Sequence, residues 1–485
     1  MRACRGARQW ARLGAMLAAL AIPAAAQAGD TRYQDYVIGG RAIGLGGAFV
    51  SLADDASGIY YNPAGIADVD RRSASVSTSL YGFERGANRL DPTVPVTGLE
   101  ELDVEFNELV IVPASAGYVQ GIGEAGPNGE RKHAYGVTVV VPSYRDFSSS
   151  PNTTQRASER EPLVQNASTS YTRHVSDRSL WAGAAYARKL TPRLRLGVSA
   201  FYVLRSTSDS EEIAGYAELE GADEQVFRSA RNEVSYLNGN AVLMLGAKYQ
   251  LSDRVAVGAA IQSPSLQLHS SAQLRFSRAI SIPECPSASG CDSGSILAEG
   301  PVSRYDAFTL NNARSQTRYA PRLRLGAHYA EPYDFTLSAD ITYHAPVSYT
   351  LIDVDDPRQR QRLPFTPRVE RRGVVNFNVG GEYLLVRQVS VAGGLFSNFS
   401  SAPPIPEAPG RDHLPDVDLW GVTMAVGYFG EHSLSRLGVV YSVGSGSDVV
   451  PRSNIDRLLE DKQGFRRVDL TRSFFYVFLS STFRY

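Results

Sequence analysis

The stretch SFFYVFLSSTFRY, residues 473–485, decides how the rest of the chain is read. Side chains alternate along a strand, so Phe475, Val477, Leu479, Phe483 and Tyr485 share one face, with Ser481 as the interruption. Phe474, Tyr476, Phe478, Ser480, Thr482 and Arg484 share the other. A closed membrane barrel needs such a strand at its end, because the last strand pairs with the first and leaves no open edge in lipid. Taken alone, the segment also suits the closing strand of a soluble sandwich. In the barrel reading it is the strand that the barrel assembly machinery would recognise, which makes that machinery an expected partner.

The other end reads as an export signal over residues 1–28. Arg2, Arg5, Arg8 and Arg12 form a basic start, residues 13–22 a short apolar run, and Ala26-Gln27-Ala28 a cleavage site, so mature protein begins near Gly29. The apolar run is shorter than the roughly 20 residues a membrane-crossing helix needs. The whole chain carries a formal charge of −1, and losing four arginines makes the mature chain more acidic. No nucleic-acid partner is expected, since that would call for a basic patch. Mean hydropathy is slightly negative, which a barrel tolerates because every second residue faces a wet lumen. Tyrosine outnumbers phenylalanine, 25 to 19, as suits rings placed at a membrane–water boundary.

Period-two patterning recurs in about fourteen segments, which predicts an all-β transmembrane antiparallel barrel. Leu323, Leu325, Ala327 and Tyr329 alternate with Arg322, Arg324, Gly326 and His328; Phe335, Leu337, Ala339, Ile341 and Tyr343 alternate with Thr336, Ser338, Asp340 and Thr342. Tight turns are expected at residues 190–192, 252–253, 331–332, 387–388 and 431–432. Long polar loops are expected at 143–176, 206–234, 269–317, 346–372, 397–417 and 444–472. Short turns on one side and long loops on the other is the outer-membrane layout, and it places both chain ends in the periplasm. Cys285 and Cys291 lie in a Pro/Ser/Gly-rich stretch and read as a loop disulfide or as free thiols. Their spacing matches no metal site, and no cofactor is expected.

Residues 29–72 do not alternate. They hold a glycine-rich run from Gly39 to Phe49, then Asp54-Asp55 and Asn62-Pro63-Ala64-Gly65. The glycine spacing does not make a dinucleotide fingerprint. Small residues and turn formers suit a plug inside the barrel of residues 73–485. Asp54 and Asp55 read as helix-start or solvated positions more readily than as catalytic carboxylates.

These features resemble the FadL-like outer-membrane transporters of long-chain fatty acids and other hydrophobic compounds. The glycine cluster, Asp54-Asp55-Ala56 and Asn62-Pro63-Ala64-Gly65 look like that family's hatch. Leu237-Asn238-Gly239-Asn240 and Tyr319-Ala320-Pro321 look like its mid-barrel. The resemblance implies a fourteen-stranded barrel with an internal hatch, acting as a monomer in the bacterial outer membrane on an apolar small molecule such as a long-chain fatty acid. It implies capture under the outer loops, binding in the lumen and release through a gap in the wall. Pro142 is the candidate for that gap, the other reading being that the strand simply ends there. Asn62 and Pro63 hold a tight turn against the wall, with or without a gating role. Arg195, Arg324, His328, Asp340, His344, Asn376 and Glu382 are expected to face the lumen, either to meet a ligand carboxylate or to serve as structural pairs. A scaffold or shuttle for exported proteins, a general porin, and a hydrolase built around Asp340 and His344 remain as alternatives.

Overall fold

The structure, a computed structural model, describes residues 31–69, 72–89, 105–109, 115–125, 131–150, 152–158, 161–220, 225–284, 301–331, 334–354, 368–409, 413–451 and 465–485. Among the described residues, a ring of 14 strands forms one antiparallel barrel. The first six are β1 (Arg72–Arg89), β2 (Glu105–Leu109 and Ser115–Ala125), β3 (Arg131–Ser149), β4 (Glu161–Lys189), β5 (Leu194–Leu219) and β6 (Gln225–Gln250). Two broken strands follow, β7 (Val255–Gln262 and Leu266–Ile282) and β8 (Val302–Ser315 and Arg322–Glu331). The ring continues through β9 (Phe335–His344), β10 (Val374–Val386), β11 (Val389–Asn398), β12 (Asp416–Phe429), β13 (Ser433–Pro451) and β14 (Phe465–Arg484). β14 closes on β1 from Ser73↔Arg484 to Arg89↔Asp469.

Closure follows from the alternation. Tyr476 and Phe478 are buried in the interior, while Leu479 and Phe483 are exposed outside. The same holds around the ring: Leu243, Leu245, Ile261, Leu325, Leu337, Val379, Leu395 and Met424 are exposed. Arg322, Arg324, Asp340, Glu382 and Arg436 are buried. An apolar exterior around a polar interior inverts a water-soluble domain and suits a hydrocarbon surround.

Tight connections fall on one side, at residues 190–193, 251–254, 387–388 and 430–432, and Tyr485 lies there, donating its N–H to Arg72 O at 2.9 Å. Much of what the sequence presents as loop on the other side is strand. β4, β5 and β6 run for 29, 26 and 26 residues, where roughly 9–11 would cross a membrane. The described parts of 143–176, 206–234 and 269–317 therefore largely extend the sheet beyond the lipid. In β5, Arg205, Thr207 and Asp209 are buried while Ser206, Ser208 and Ser210 are less so. The alternation is present, but both faces are polar and hydropathy does not reveal it. Residues 347–354 and 368–371 fold inward: Val347–Thr350 pairs with Arg368–Arg371. Tyr349, Leu351 and Ile352 pack on Tyr236, Leu274 and Leu310 of the inner wall.

Residues 31–69 fill the lumen. They form two helical turns, Gly40–Gly44 and Gly58–Tyr61, and a 3-10 turn, Pro63–Asp68. The plug backbone lies directly against glycines of the wall. A Cβ on Gly197, Gly380 or Gly394 would overlap the backbone of Pro63, Leu45 or Gly46. The expectation that both chain ends lie on the short-turn side holds for Tyr485 only. Thr31, the first described residue, accepts hydrogen bonds from Ser401 N and Ser401 Oγ beyond the far end of β11. The plug thus descends through the barrel before entering β1. Cys285 and Cys291 lie outside the described residues.

Candidate functional site

The inward polar residues of the wall meet the plug, because an irregular backbone inside a barrel needs hydrogen-bond partners. Asp340 Oδ2 accepts from Phe49 N and Val50 N at 2.6 and 2.8 Å. Arg324 donates to Tyr60 O at 2.6 Å, and His328 Nδ1 lies 3.0 Å from Ser51 Oγ. His344 stacks on Tyr33 with centroids 4.5 Å apart. Asn376 is the exception, accepting from Phe399 N at 3.0 Å. Asp340 and His344 thus each hold the plug, and no hydrogen bond joins them.

The lower part of the plug, residues 40–69, is also held by charge. Arg41 pairs with Asp54 and, at 3.0 Å, with Glu382, which takes Arg436 at 2.8 Å. Asp68 pairs with Arg195 and with Lys248, both at 2.8 Å. Burial alone would raise the Asp54 carboxyl; Arg41, helped by Arg484, Lys248 and Arg436, outweighs it and brings the pKa down to about 2. Asp68 is also lowered, Lys248 and Arg195 outweighing burial. The motif Asn62-Pro63-Ala64-Gly65 sits between these clusters. Asn62 is fully buried; its Nδ2 donates to Val50 O at 2.9 Å and to Ala247 O of the wall at 3.0 Å, and its Oδ1 accepts from Ala64 N. Pro63 starts the 3-10 turn, where its missing N–H costs nothing.

The leading part, residues 31–39, is attached differently. Asp35 N and Tyr36 N donate to Pro142 O at 3.0 and 3.3 Å. Ser143 Oγ donates to Asp35 Oδ2 at 2.5 Å and Tyr36 OH to Tyr144 O at 2.9 Å. Burial raises the Asp35 carboxyl despite Ser143 and the nearby Arg32, Arg145 and Arg472. Gly39 joins the two parts with φ of 86°, a conformation that favours glycine.

The leading part lies beside two irregularities of the wall. β1 pairs with β2 through Ser77↔Ser115 and again from Phe83↔Leu109, in one register. The β1–β14 register shifts between Ser79 and Tyr81. β2–β3 pairing runs to Ala116↔Val139, and the β3–β4 register shifts between Val140 and Ser143. Pro142 therefore lies inside a continuous strand, correcting the reading that the strand ends there. It sits at a local break in register, as a residue with no N–H does. A small pocket reaches this place, lined by Ser77, Thr78, Ser79, Ser115, Val141 and Phe478. A second holds Arg32, Glu84, Arg145 and Arg472 among aromatic rings. A third is lined by Arg324, Asp340, His344, Asn376 and Asn378. Tyr36 and Val37 line all three.

Sequence reasoning passed over Arg32, Glu84, Arg145 and Arg472. Arg472 has the parity of Phe474 and Tyr476, so its inward direction was readable; its meeting with Glu84 depends on the closing register.

Several solved structures share this architecture. A FadL homologue from Pseudomonas aeruginosa matches with a TM-score of 0.60 at 16% identity, covering 93% of this chain and 99% of that one. The toluene transporter TodX from Pseudomonas putida matches at 0.54 and 13%, covering 94% and 100%. The monoaromatic hydrocarbon channel CymD matches at 0.51 and 12%, covering 92% and 97%. No protein-family model matches the sequence, and no curated protein sequence does. The likeness establishes the FadL-type barrel fold.

Proposed function

We infer that this chain is a FadL-like transporter of the bacterial outer membrane, passing hydrophobic small molecules from the outside into the bilayer. The molecule is captured under the long-loop end, enters the cavities beside the leading segment, and leaves through the wall between β1 and β3, near the register shifts at Ser79/Tyr81 and Val140/Ser143. It works as a monomer, assembled by machinery that reads β14. No covalent chemistry is involved: binding rests on apolar burial, about 0.8 kcal/mol per CH₂, and the exit delivers the same methylenes to lipid.

One observation carries this reading. The lower plug is wedged against wall glycines and ion-paired to the barrel, whereas the cavity beside Ser79 and Val141 is lined on the plug side by residues 36–39. A downward route would have to break buried ion pairs, which costs about 3–5 kcal/mol each. A sideways route displaces hydrogen bonds of the leading segment to the wall, of about 1–2 kcal/mol apiece, and no ion pair among the described residues.

The test bridges β1 and β3. Ser79→Cys and Val141→Cys, joined by a thiol-specific bridging reagent, are compared with the unbridged double variant for uptake of a fluorescent long-chain fatty acid and of toluene into proteoliposomes. The bridge is expected to stop delivery of both into the bilayer and to leave binding intact. Unchanged delivery through a bridged wall would move the exit elsewhere.

A further inference from the structure

The β7–β8 ladder is interrupted where both strands are broken. Pairing runs up to Arg322↔Gln262 and starts again at Ala272↔Ala313. Between these points Ser265 N donates to Tyr319 O at 3.3 Å and Tyr319 N to Ser265 Oγ at 2.9 Å, which sets Arg318 opposite Leu266. Gln267 Nε2 donates to Ser315 O at 2.5 Å. The motif Leu237-Asn238-Gly239-Asn240 of β6 holds this place from both faces. On the lumen side Asn238 donates to Thr317 Oγ1 at 2.5 Å and accepts from Ser315 Oγ at 2.6 Å, fixing residues 315–317 across the missing ladder. On the outer side Gly239 leaves room for the ring of His269, which a Cβ there would strike. That ring stacks on Tyr202 with centroids 6.0 Å apart.

The break lies at the upper edge of the apolar belt. Leu266 and Leu268 are 67% and 55% exposed, whereas Ser271 and Arg275, further up the same outer face, are exposed and polar. A change from apolar to polar along an outer face marks the lipid–water boundary. Thr317 is buried and Arg318 exposed, so this guanidinium stands outside at that level. Among the described residues it makes no hydrogen bond or ion pair. On the adjoining segments, Glu233 lies 3.8 and 3.9 Å from Arg231 and Arg275, and Asp353 lies opposite Arg314. Irregular backbone at the edge of hydrocarbon needs cover, because lipid tails offer no hydrogen bonds. An unpaired arginine there meets the anionic head groups of the leaflet, and its fork matches phosphate oxygens.

We propose that the outer face of the β7–β8 break is a docking site for a phosphate-bearing lipid of the outer leaflet. Arg318 takes the phosphate, His269 offers the ring nitrogen that Tyr202 does not take, and an acyl chain lies along Leu266 and Leu268. The lipid covers the interrupted ladder from outside. Residues 351–353 cover it from inside, where Gln316 N donates to Leu351 O at 2.8 Å and Ser315 pairs with Ile352. The site is separate from the lumen and does not depend on the route a transported molecule takes.

The test measures, by native mass spectrometry of the full barrel in detergent, retention of lipid A against the same lipid stripped of phosphate. Wild type is expected to retain lipid A about tenfold better, the effect of one charge-assisted hydrogen bond. Arg318→Gln should lose that preference, whereas Arg85→Gln, at an exposed arginine of β1, should keep it. Gly239→Ala, which displaces the His269 ring, should weaken retention of lipid A. A heat-shifted gel band reports that each barrel is folded. Leu268→p-benzoylphenylalanine should crosslink to lipid A on illumination. Equal retention of both lipids by wild type, a preference that survives in Arg318→Gln, or no crosslink from position 268 would overturn the proposal. Inorganic phosphate that displaces lipid A at equal concentration would also overturn it, since the ion alone would then be the ligand.

Discussion

The two parts of the plug occupy one lumen and are held by different physics. Residues 40–69 press backbone to backbone against Gly197, Gly380 and Gly394 and are tied by Arg41–Glu382, Asp68–Arg195 and Asp68–Lys248. Residues 31–38 are held without an ion pair among the described residues, by hydrogen bonds to Pro142, Ser143, Tyr144, Ser401, Arg324 and Asn398 and by the stacking of Tyr33 on His344. The first arrangement is costly to break at any point, because removing one ion strands its partner in a dry site. The second comes apart one modest bond at a time. On the proposed sideways route, that asymmetry would let the leading segment give way while the lower plug stays in place.

The largest effect should come from the lower part. Glu382→Gln leaves Arg41 and Arg436 without their shared carboxylate and should cost about 3–5 kcal/mol. It should appear as a lowered denaturant midpoint and as ion conductance in planar bilayers. Gly394→Val should cost less, about 1–3 kcal/mol, by forcing a side chain into the backbone of Gly46, with the same conductance readout. Ser143→Ala removes one hydrogen bond to Asp35, about 1 kcal/mol. It should leave the denaturant midpoint nearly unchanged and speed delivery of an apolar solute into lipid. Should Ser143→Ala open conductance as Glu382→Gln does, the distinction between the two parts is lost.

Acid should separate them further, and with opposite sign. Asp54 has a depressed pKa, so its contribution is full above the ordinary carboxylate range and is lost as pH falls toward about 2. Asp35 has a raised pKa, so its protonated form suits the folded state and its contribution fades as pH rises above the ordinary value. Acidification should tighten the leading segment before it loosens the lower plug. Protease accessibility of the plug, followed from pH 7 to pH 2, reads this as protection near residue 35 gained before protection near residue 54 is lost.

Much of the fold was legible from residues. The parity of Phe474 to Arg484 gave the inner and outer faces of β14, and the turns at 190–192, 252–253, 387–388 and 431–432 fell where short polar punctuation predicts. The upper halves of β4, β5 and β6 were not legible, because serine, threonine and charged residues occupy both faces and leave no hydropathy contrast. The site was harder. That Arg324, His328 and Asp340 face inward follows from alternation, but that each meets a particular plug atom depends on contacts across 260 or more residues. Pro142 was visible as a missing donor; the register shift around it and its carbonyl's grip on Asp35 and Tyr36 needed three dimensions.

The account is tested most directly by fastening each part of the plug to the wall in turn. One variant carries Asp35→Cys with Ser143→Cys, closed by oxidation; the other carries Asp68→Cys with Arg195→Cys, joined by a thiol-specific bridge. Delivery of a fluorescent fatty acid into proteoliposome lipid is then measured before and after reduction or cleavage of the link. The first fastening should halt delivery and release it on reduction, and the second should leave delivery intact. Delivery that persists with residue 35 fastened, or stops with residue 68 fastened, would contradict a sideways exit gated by the leading segment.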